Sequence, residues 1–318
     1  MKKLKHWIDS FTRPTRKWTD ILPIGIVLSV IVMFAGELIS LILIRLLGIR
    51  SLFSLVCGRE DIAGFMSQYF EFFGIWIAIL LIVVIFRSNR AMLKSFWYNR
   101  KGNTVKGFLI GLLLGFGTNG ICVLISFLMG DIKLSFFGFD PLLLLLFLFV
   151  VMVQSGAEEL VDRFYLYQKL RRRYKSPLVA VLGNSIIFTL LHAMNPGFSA
   201  LAALQIFLVA VVFSELVYYY DGLWIAIAFH TAWNYTQNII FGLPNSGIVS
   251  AYSIFNLEAA SARSGLFYNV NFGVEGSIGA SLVLAITGIV ILLLNKGKSE
   301  RTDLWKQDLS KEAESDME

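Results

Sequence analysis

Inside long apolar runs the sequence places an ordered set of polar side chains: Glu158, Glu159, Asp162 and Arg163, then His192, then His230 and Asn234. An ionisable group in hydrocarbon costs roughly 2.5–3.5 kcal/mol on insertion scales, so each is a candidate for function. The stretch Gly156-Ala157-Glu158-Glu159-Leu160-Val161-Asp162-Arg163 reads as helix. On it Glu159 and Arg163 share a face and can pair, with the acid on the favourable N-terminal side. Glu158 points about 100° away, and its only neighbour on its own helix is Asp162, also an acid. One carboxylate is tied down as a brace, while the other is available to take a proton from water.

His230 and Asn234 stand one helical turn apart on one face, where a neutral imidazole and a carboxamide can donate to a developing oxyanion. The same residue types allow a second chemistry, in which Glu158, His192 and His230 hold one divalent metal such as zinc and leave a position open for water. No histidine pair shares a helix face as in His-Glu-x-x-His, which leans toward metal-free water activation, and both mechanisms stay open. Taken singly, each residue has an ordinary structural reading. The Glu159–Arg163 pair could only pack helices, and His192 or Asn234 could be interhelical hydrogen bonds worth about 0.6 kcal/mol. Their concentration on three neighbouring helices favours a joint site.

The elements that must position these groups follow from composition. Of 318 residues, 56% are hydrophobic and 16% charged, against about a quarter charged in soluble domains. That excludes a water-soluble globule, and the 27 phenylalanines exclude a disordered chain. A net charge of +6 is read here as membrane orientation, with no nucleic-acid partner. The expected fold is all-α, a polytopic transmembrane helix bundle in the lipid bilayer of the cell membrane. About eight runs approach the roughly 20 residues of a spanning helix: Ile21–Leu47, Met66–Phe86, Val105–Met129, Pro141–Tyr165, Leu178–Met194, Phe198–Tyr220, Leu223–Leu243 and Glu275–Leu294.

Segments 1–20, 87–106, 169–175 and 296–311 hold 22 of the 28 lysines and arginines. The intervening loops hold only Arg50, Arg59, Lys133 and Arg263. Both termini are therefore expected in the cytoplasm. Residues 1–20 mix bases with Trp7, Phe11 and Trp18 and read as a surface segment with an interfacial His6. The tail after Lys296 reads as a solvated, partly disordered extension. Cys57 and Cys122 are not expected to pair. Glu37 and Glu71 read as packing or cavity-lining residues, and with Glu215 they raise a transporter reading that lacks the expected pair of broken helices. Helical rise puts Glu158 about 26 Å below Pro141 but His192 about 21 Å above Leu178. The two meet only if the fifth span starts along the surface or the fourth breaks near Gly156.

The order Glu-Glu-x-x-x-Arg, Phe-x-x-x-His and His-x-x-x-Asn resembles the CPBP family of intramembrane proteases, which groups CAAX prenyl endopeptidases with the bacteriocin-processing and self-immunity Abi proteins. The matching residues are Glu158, Glu159, Arg163, Phe188, His192, His230 and Asn234, supported by Lys169–Arg173 and by Phe272-Gly273-Val274-Glu275-Gly276. The resemblance implies hydrolysis of a peptide bond in a membrane-associated protein or peptide. Glu158 with His192 would activate water, Glu159 and Arg163 would orient the site, and His230 with Asn234 would hold the oxyanion. Charge pattern and resemblance together divide the chain into a surface segment 1–20, a protease domain 21–295 with its motif core at 141–241, and a charged tail 296–318. The alternative within the same fold is a non-catalytic immunity or scaffold protein that binds a peptide. The segment 244–274 could cap the site. Substrate identity and oligomeric state are not specified by these residues. The motifs of site-2-type, rhomboid and presenilin-like proteases are incomplete or out of order.

Overall fold

A computed structural model describes residues 10–13, 15, 17–99, 102–298, 303–306 and 309–310. The expectations for Lys2, Lys3, Lys5, His6, Trp7, Arg16 and most of the tail lie outside these residues. Several helix starts are written in the sequence. Asp140 caps α6 (Pro141–Glu159) by accepting from the Leu142 and Leu143 amides at 2.9 and 3.1 Å, and Pro141 fills the first position, where no amide is needed. Thr104, Ser176, Ser199 and Ser277 cap α5 (Val105–Leu128), α8 (Pro177–Leu191), α9 (Ala200–Tyr220) and α11 (Ile278–Leu294) in the same way.

The remaining helices are α1 (Leu22–Leu46), α2 (Ile49–Cys57), α3 (Glu60–Phe70), α4 (Phe73–Ile85), α7 (Tyr167–Arg173) and α10 (Trp224–Tyr235). Each expected span coincides with helix, yet among the described residues six helices, not eight, are long and apolar enough to cross a membrane; α11 is apolar but shorter. The α10 segment is the informative exception. Its residues from Ile225 to Tyr235 are all buried in protein, so its polar side chains face neighbours and it has no lipid face. By contrast α1 presents Val27, Ile31, Phe34, Leu38 and Leu41 outward, as lipid contact requires.

Glycines set the closest approaches. A Cβ at Gly111 or Gly115 of α5 would meet the Ile225 or Phe229 carbonyl of α10 at 2.4 Å, so the two backbones pack as small-residue membrane interfaces do. The same device joins α1 to α4 through Gly36 and Gly74, where the Gly74 amide donates to Ser40 Oγ at 2.6 Å. Far from these contacts, β1 (Leu134–Phe136) and β2 (Phe255–Leu257) pair antiparallel, Ser135 opposite Asn256.

The helix that begins at Pro141 does not end at Tyr165. It passes through a π turn at Leu160–Leu166 and continues as α7 to Arg173. The sequence reading ended it early because the basic residues looked like loop. Instead Lys169 and Arg172 are buried and clasp Asp20, with Lys169 Nζ at 3.0 Å and Arg172 Nη2 at 2.8 Å. The expected solvated tail is also corrected in part. Trp305 is buried under the Arg172 guanidinium at 4.4 Å and donates to the Gln168 carbonyl at 3.0 Å. A charge average over 296–318 hides this one aromatic anchor.

Candidate active site

This extension of the helix resolves the mismatch in depth. Glu158 stands 15 positions before Arg173, and His192 stands 15 positions after Pro177. On the antiparallel limbs of a hairpin turning at 174–176, both lie about 22 Å from the turn. Neither a surface-lying start of the fifth span nor a break at Gly156 is needed. Two contacts along the hairpin agree, with Arg163 under the Phe188 ring at 4.6 Å and Leu170 beside Gly183.

Glu158, His192, His230 and Asn234 line one cavity of about 270 Å³, which Glu37, Asp162 and Glu275 also reach. Glu159 and Arg163 are fully buried behind it, paired at 3.1 Å. The guanidinium also donates to the Ala210 carbonyl at 3.0 Å and lies between the rings of Phe188 and Phe213. This is the expected brace. Glu159 Oε1 accepts a second bond from His230 Nδ1 at 3.0 Å, so the carboxylate that anchors Arg163 also fixes the imidazole. With Nδ1–H donating to Glu159, His230 turns Nε2 toward Glu158 Oε2 at 3.6 Å. His192 is fixed in the same sense. The Phe188 carbonyl can only accept, so Nδ1–H donates to it at 2.7 Å and Nε2 keeps its lone pair.

Glu158 has a partner that the sequence reading missed: Gln154, one turn earlier, donates from Nε2 to Glu158 Oε1. Glu158 Oε2 has no hydrogen-bond partner among the described residues. Gln154 belongs to a relay of amides. Asn234 Nδ2 donates to Gln154 Oε1 at 3.2 Å and Ser155 Oγ at 3.3 Å. Asn245 Nδ2 donates to Asn234 Oδ1 at 3.2 Å and to Glu275 Oε1 at 3.1 Å. Trp233 and both donors of Ser246 complete the ring around Glu275. The quoted stretch around Glu275 carried a signal, whereas Gln154, Asn245 and Ser246 had none, because single amides and hydroxyls are common in loops and helix ends. Trp76 was missed too. Its indole lies against Gly156, where a Cβ would come within 2.2 Å of the ring, and donates to the Val153 carbonyl at 2.8 Å.

Glu37 lines the cavity, whereas neither Glu71 nor Glu215 does; Glu215 Oε2 lies against Gly288 of α11. From segment 244–274, Asn245, Ser246 and Ile248 close one side. Among the described residues no three His, Cys, Asp or Glu side chains are placed to hold a metal ion. Glu158, His192 and His230 therefore do not fit zinc as arranged, and no step below passes through one. Both cysteines are free.

A polytopic helical membrane protein with a carboxylate and imidazole chamber is the class defined so far. Residues 140–236 match the family model described as Type II CAAX prenyl endopeptidase Rce1-like, so this third of the chain carries a domain of the CPBP and CAAX-protease kind, and every residue from Glu158 to Asn234 lies within it. No curated protein and no solved structure matches the chain. The match covers less than half of a chain whose described residues include six helices long and apolar enough to cross a membrane, so the likeness to CAAX-type membrane proteases belongs to that stretch.

Proposed function

We propose that the chain is an intramembrane endopeptidase that hydrolyses a peptide bond of a membrane-associated protein or peptide. The observation that carries this reading is the pair Glu158 and His230. Glu158 lines the cavity and its buried Oε2 has no hydrogen-bond partner among the described residues, while the imidazole 3.6 Å away is held by a carboxylate that Arg163 fixes. Glu158 takes a proton from water, aided by the free Nε2 of His192, and the hydroxide adds to the scissile carbonyl. Glu158 then returns the proton to the departing amine, leaving one new carboxyl and one new amine.

The oxyanion is held by Asn234 Nδ2, which exchanges Gln154 for it, and by His230 Nε2. Since Nδ1–H is committed to Glu159, His230 donates only when its ring carries both protons. That is a stricter condition than the neutral donor expected from sequence. The positive-inside rule supports a cytoplasmic position for the end of the bundle that carries Asp20, Arg172 and Trp305.

The test is cleavage of membrane-anchored peptides by purified protein in detergent. Glu158→Gln should lower kcat by about 10²–10⁴-fold while leaving the unfolding midpoint nearly in place, because the carboxamide keeps an oxygen to accept from Gln154 and Oε2 makes no hydrogen bond among the described residues. Equal cleavage by wild type and Glu158→Gln overturns the assignment. Binding without cleavage by wild type would favour the scaffold reading.

A further inference from the structure

The cavity has a charge imbalance that the hydrolytic chemistry does not use. Four carboxylates line it, Glu37, Glu158, Asp162 and Glu275, and among its lining residues there is no lysine or arginine. Arg163 lies behind the cavity with its ion pair on Glu159, and among the described residues it forms none with these four. Glu275 is saturated by Trp233, Asn245 and Ser246, and Glu158 is reserved for water. That leaves Asp162 and Glu37. Asp162 is 1% exposed, lines the cavity, and its Oδ1 has no hydrogen-bond partner among the described residues. A buried carboxylate without a partner is costly, and a cation that reaches it removes the cost.

Position along the bundle sharpens this. α1 runs antiparallel to α6 and α7, with Leu22 beside Tyr174 and Gly25 beside Leu166. Counting helical rise from the Gly25–Leu166 contact, Asp162, Glu158 and Glu37 lie about 6, 12 and 18 Å up the axis. The two spare acids therefore flank the general base at about 6 Å on either side. An extended peptide advances about 3.3 Å per residue, so each acid lies level with a side chain about two residues from the scissile bond.

We propose that Asp162 and Glu37 form cation subsites, and that the substrate is a peptide with a lysine or arginine within about two residues of the cleaved bond. This rests on the endopeptidase reading and goes beyond it to the substrate class. An anionic segment, or a free terminal carboxylate lodged beside these acids, is disfavoured by the same charges.

The experiment uses the full chain in detergent and a set of membrane-anchored peptides that differ at one position, bearing lysine, norleucine or glutamate from four residues before to four after the bond. At one or both of the flanking positions, lysine should raise kcat/KM over norleucine by roughly 30-fold, the lower range for removing one partner of a buried charge pair. Asp162→Asn should abolish the preference on one side and Glu37→Gln on the other, with cleavage of the norleucine peptide retained. That retained cleavage shows that the variants are folded. Insensitivity of the preference to EDTA separates a peptide cation from a bound metal ion. No position at which lysine exceeds norleucine, with cleavage intact, overturns the subsites and leaves the endopeptidase standing. If no peptide is cut, binding to Glu158→Gln is compared by fluorescence anisotropy. Tighter binding of lysine over norleucine, lost in the Asp162→Asn double variant, supports the subsites while the hydrolytic reading fails; equal binding overturns them.

Discussion

Replacing Glu159 by alanine leaves the Arg163 guanidinium with one carbonyl, two aromatic faces and no counter-charge. Both side chains are 0% exposed and the pair is 3.1 Å apart, so water cannot take over the lost contact. At an effective dielectric of about 20, unit charges at that separation attract by about 5 kcal/mol, and breaking a buried pair typically costs about 3–5 kcal/mol. Arg163 keeps its bond to Ala210, which sets the expected loss for Glu159→Ala at the lower end, about 3 kcal/mol. Glu159→Gln retains an oxygen that accepts from both Arg163 and His230 and should lose less. The double variant Glu159→Leu with Arg163→Leu removes both charges from an apolar surround and should recover most of the stability.

The molecule supplies its own reporter. Cys122 is fully buried on α5, so a thiol-reactive fluorogenic dye labels it only on opening, in a Cys57→Ser background that removes the partly exposed thiol. The expected order of midpoints, falling, is wild type, the double leucine variant, Glu159→Gln, then Glu159→Ala. A Glu159→Ala midpoint equal to wild type, or a double variant no better than the single, refutes the buried-pair argument. Activity separates the two roles of Glu159. The double variant should fold and yet cleave poorly, because His230 Nδ1 loses its acceptor.

Two further outcomes test the scaffold. Gly115→Leu drives a Cβ to within 2.4 Å of the Phe229 carbonyl, a backbone atom one residue from His230. It should destabilise by about 1–3 kcal/mol or more and lower kcat on the folded fraction, as read by dye labelling and peptide cleavage. At the end of the bundle that holds Asp20 and Trp305, burial alone would raise the Asp303 carboxyl, but hydrogen bonds from Arg13 and the Trp305 amide outweigh it and hold it below the usual carboxylate range. A depressed native value stabilises docking above the unfolded value of about 3.9 and loses that stabilisation as pH falls through the native one. The tail should therefore stay docked through neutral and mildly acidic pH and release only below about pH 4. The emission difference between wild type and Trp305→Phe measures this.

The candidate site residues stood out in the sequence because few charged residues interrupt the apolar background, and helix periodicity alone paired Glu159 with Arg163. Asp140 and Pro141 placed one helix start, and the apolar run from Leu178 began within a residue of another at Pro177. What escaped was of two physical kinds. Neutral hydrogen-bonding residues such as Gln154, Asn245 and Ser246 carry no signature until a fold converges them on Glu158, Asn234 and Glu275. Buried bases misled for the opposite reason. Lys169 and Arg172 read as loop because charge implies water, and their burial is explained by partners distant in the chain, Asp20 for both and Trp305 for Arg172.

The π turns explain why spacing alone could not finish the site. One follows Glu159, at Leu160–Leu166, and the other follows Tyr235, at Thr236–Ile240. Each begins within two residues of a side chain assigned to the chemistry, as such turns often do at functional sites. An extra residue rotates everything downstream by about 100° relative to an ideal helix. Upstream of the first turn, Glu158 faces the cavity and Glu159 faces Arg163; downstream, Lys169 and Arg172 face Asp20 instead of lipid. Upstream of the second, His230 and Asn234 face Glu158 and Gln154; within it, Gln237 swings to accept from Asn119 on α5 at 2.8 Å. An uninterrupted 3.6-residue period cannot satisfy both sets at once. The insertions that blur the sequence periodicity thus let a single helix bury an active-site face at one level and a structural ion cluster at another.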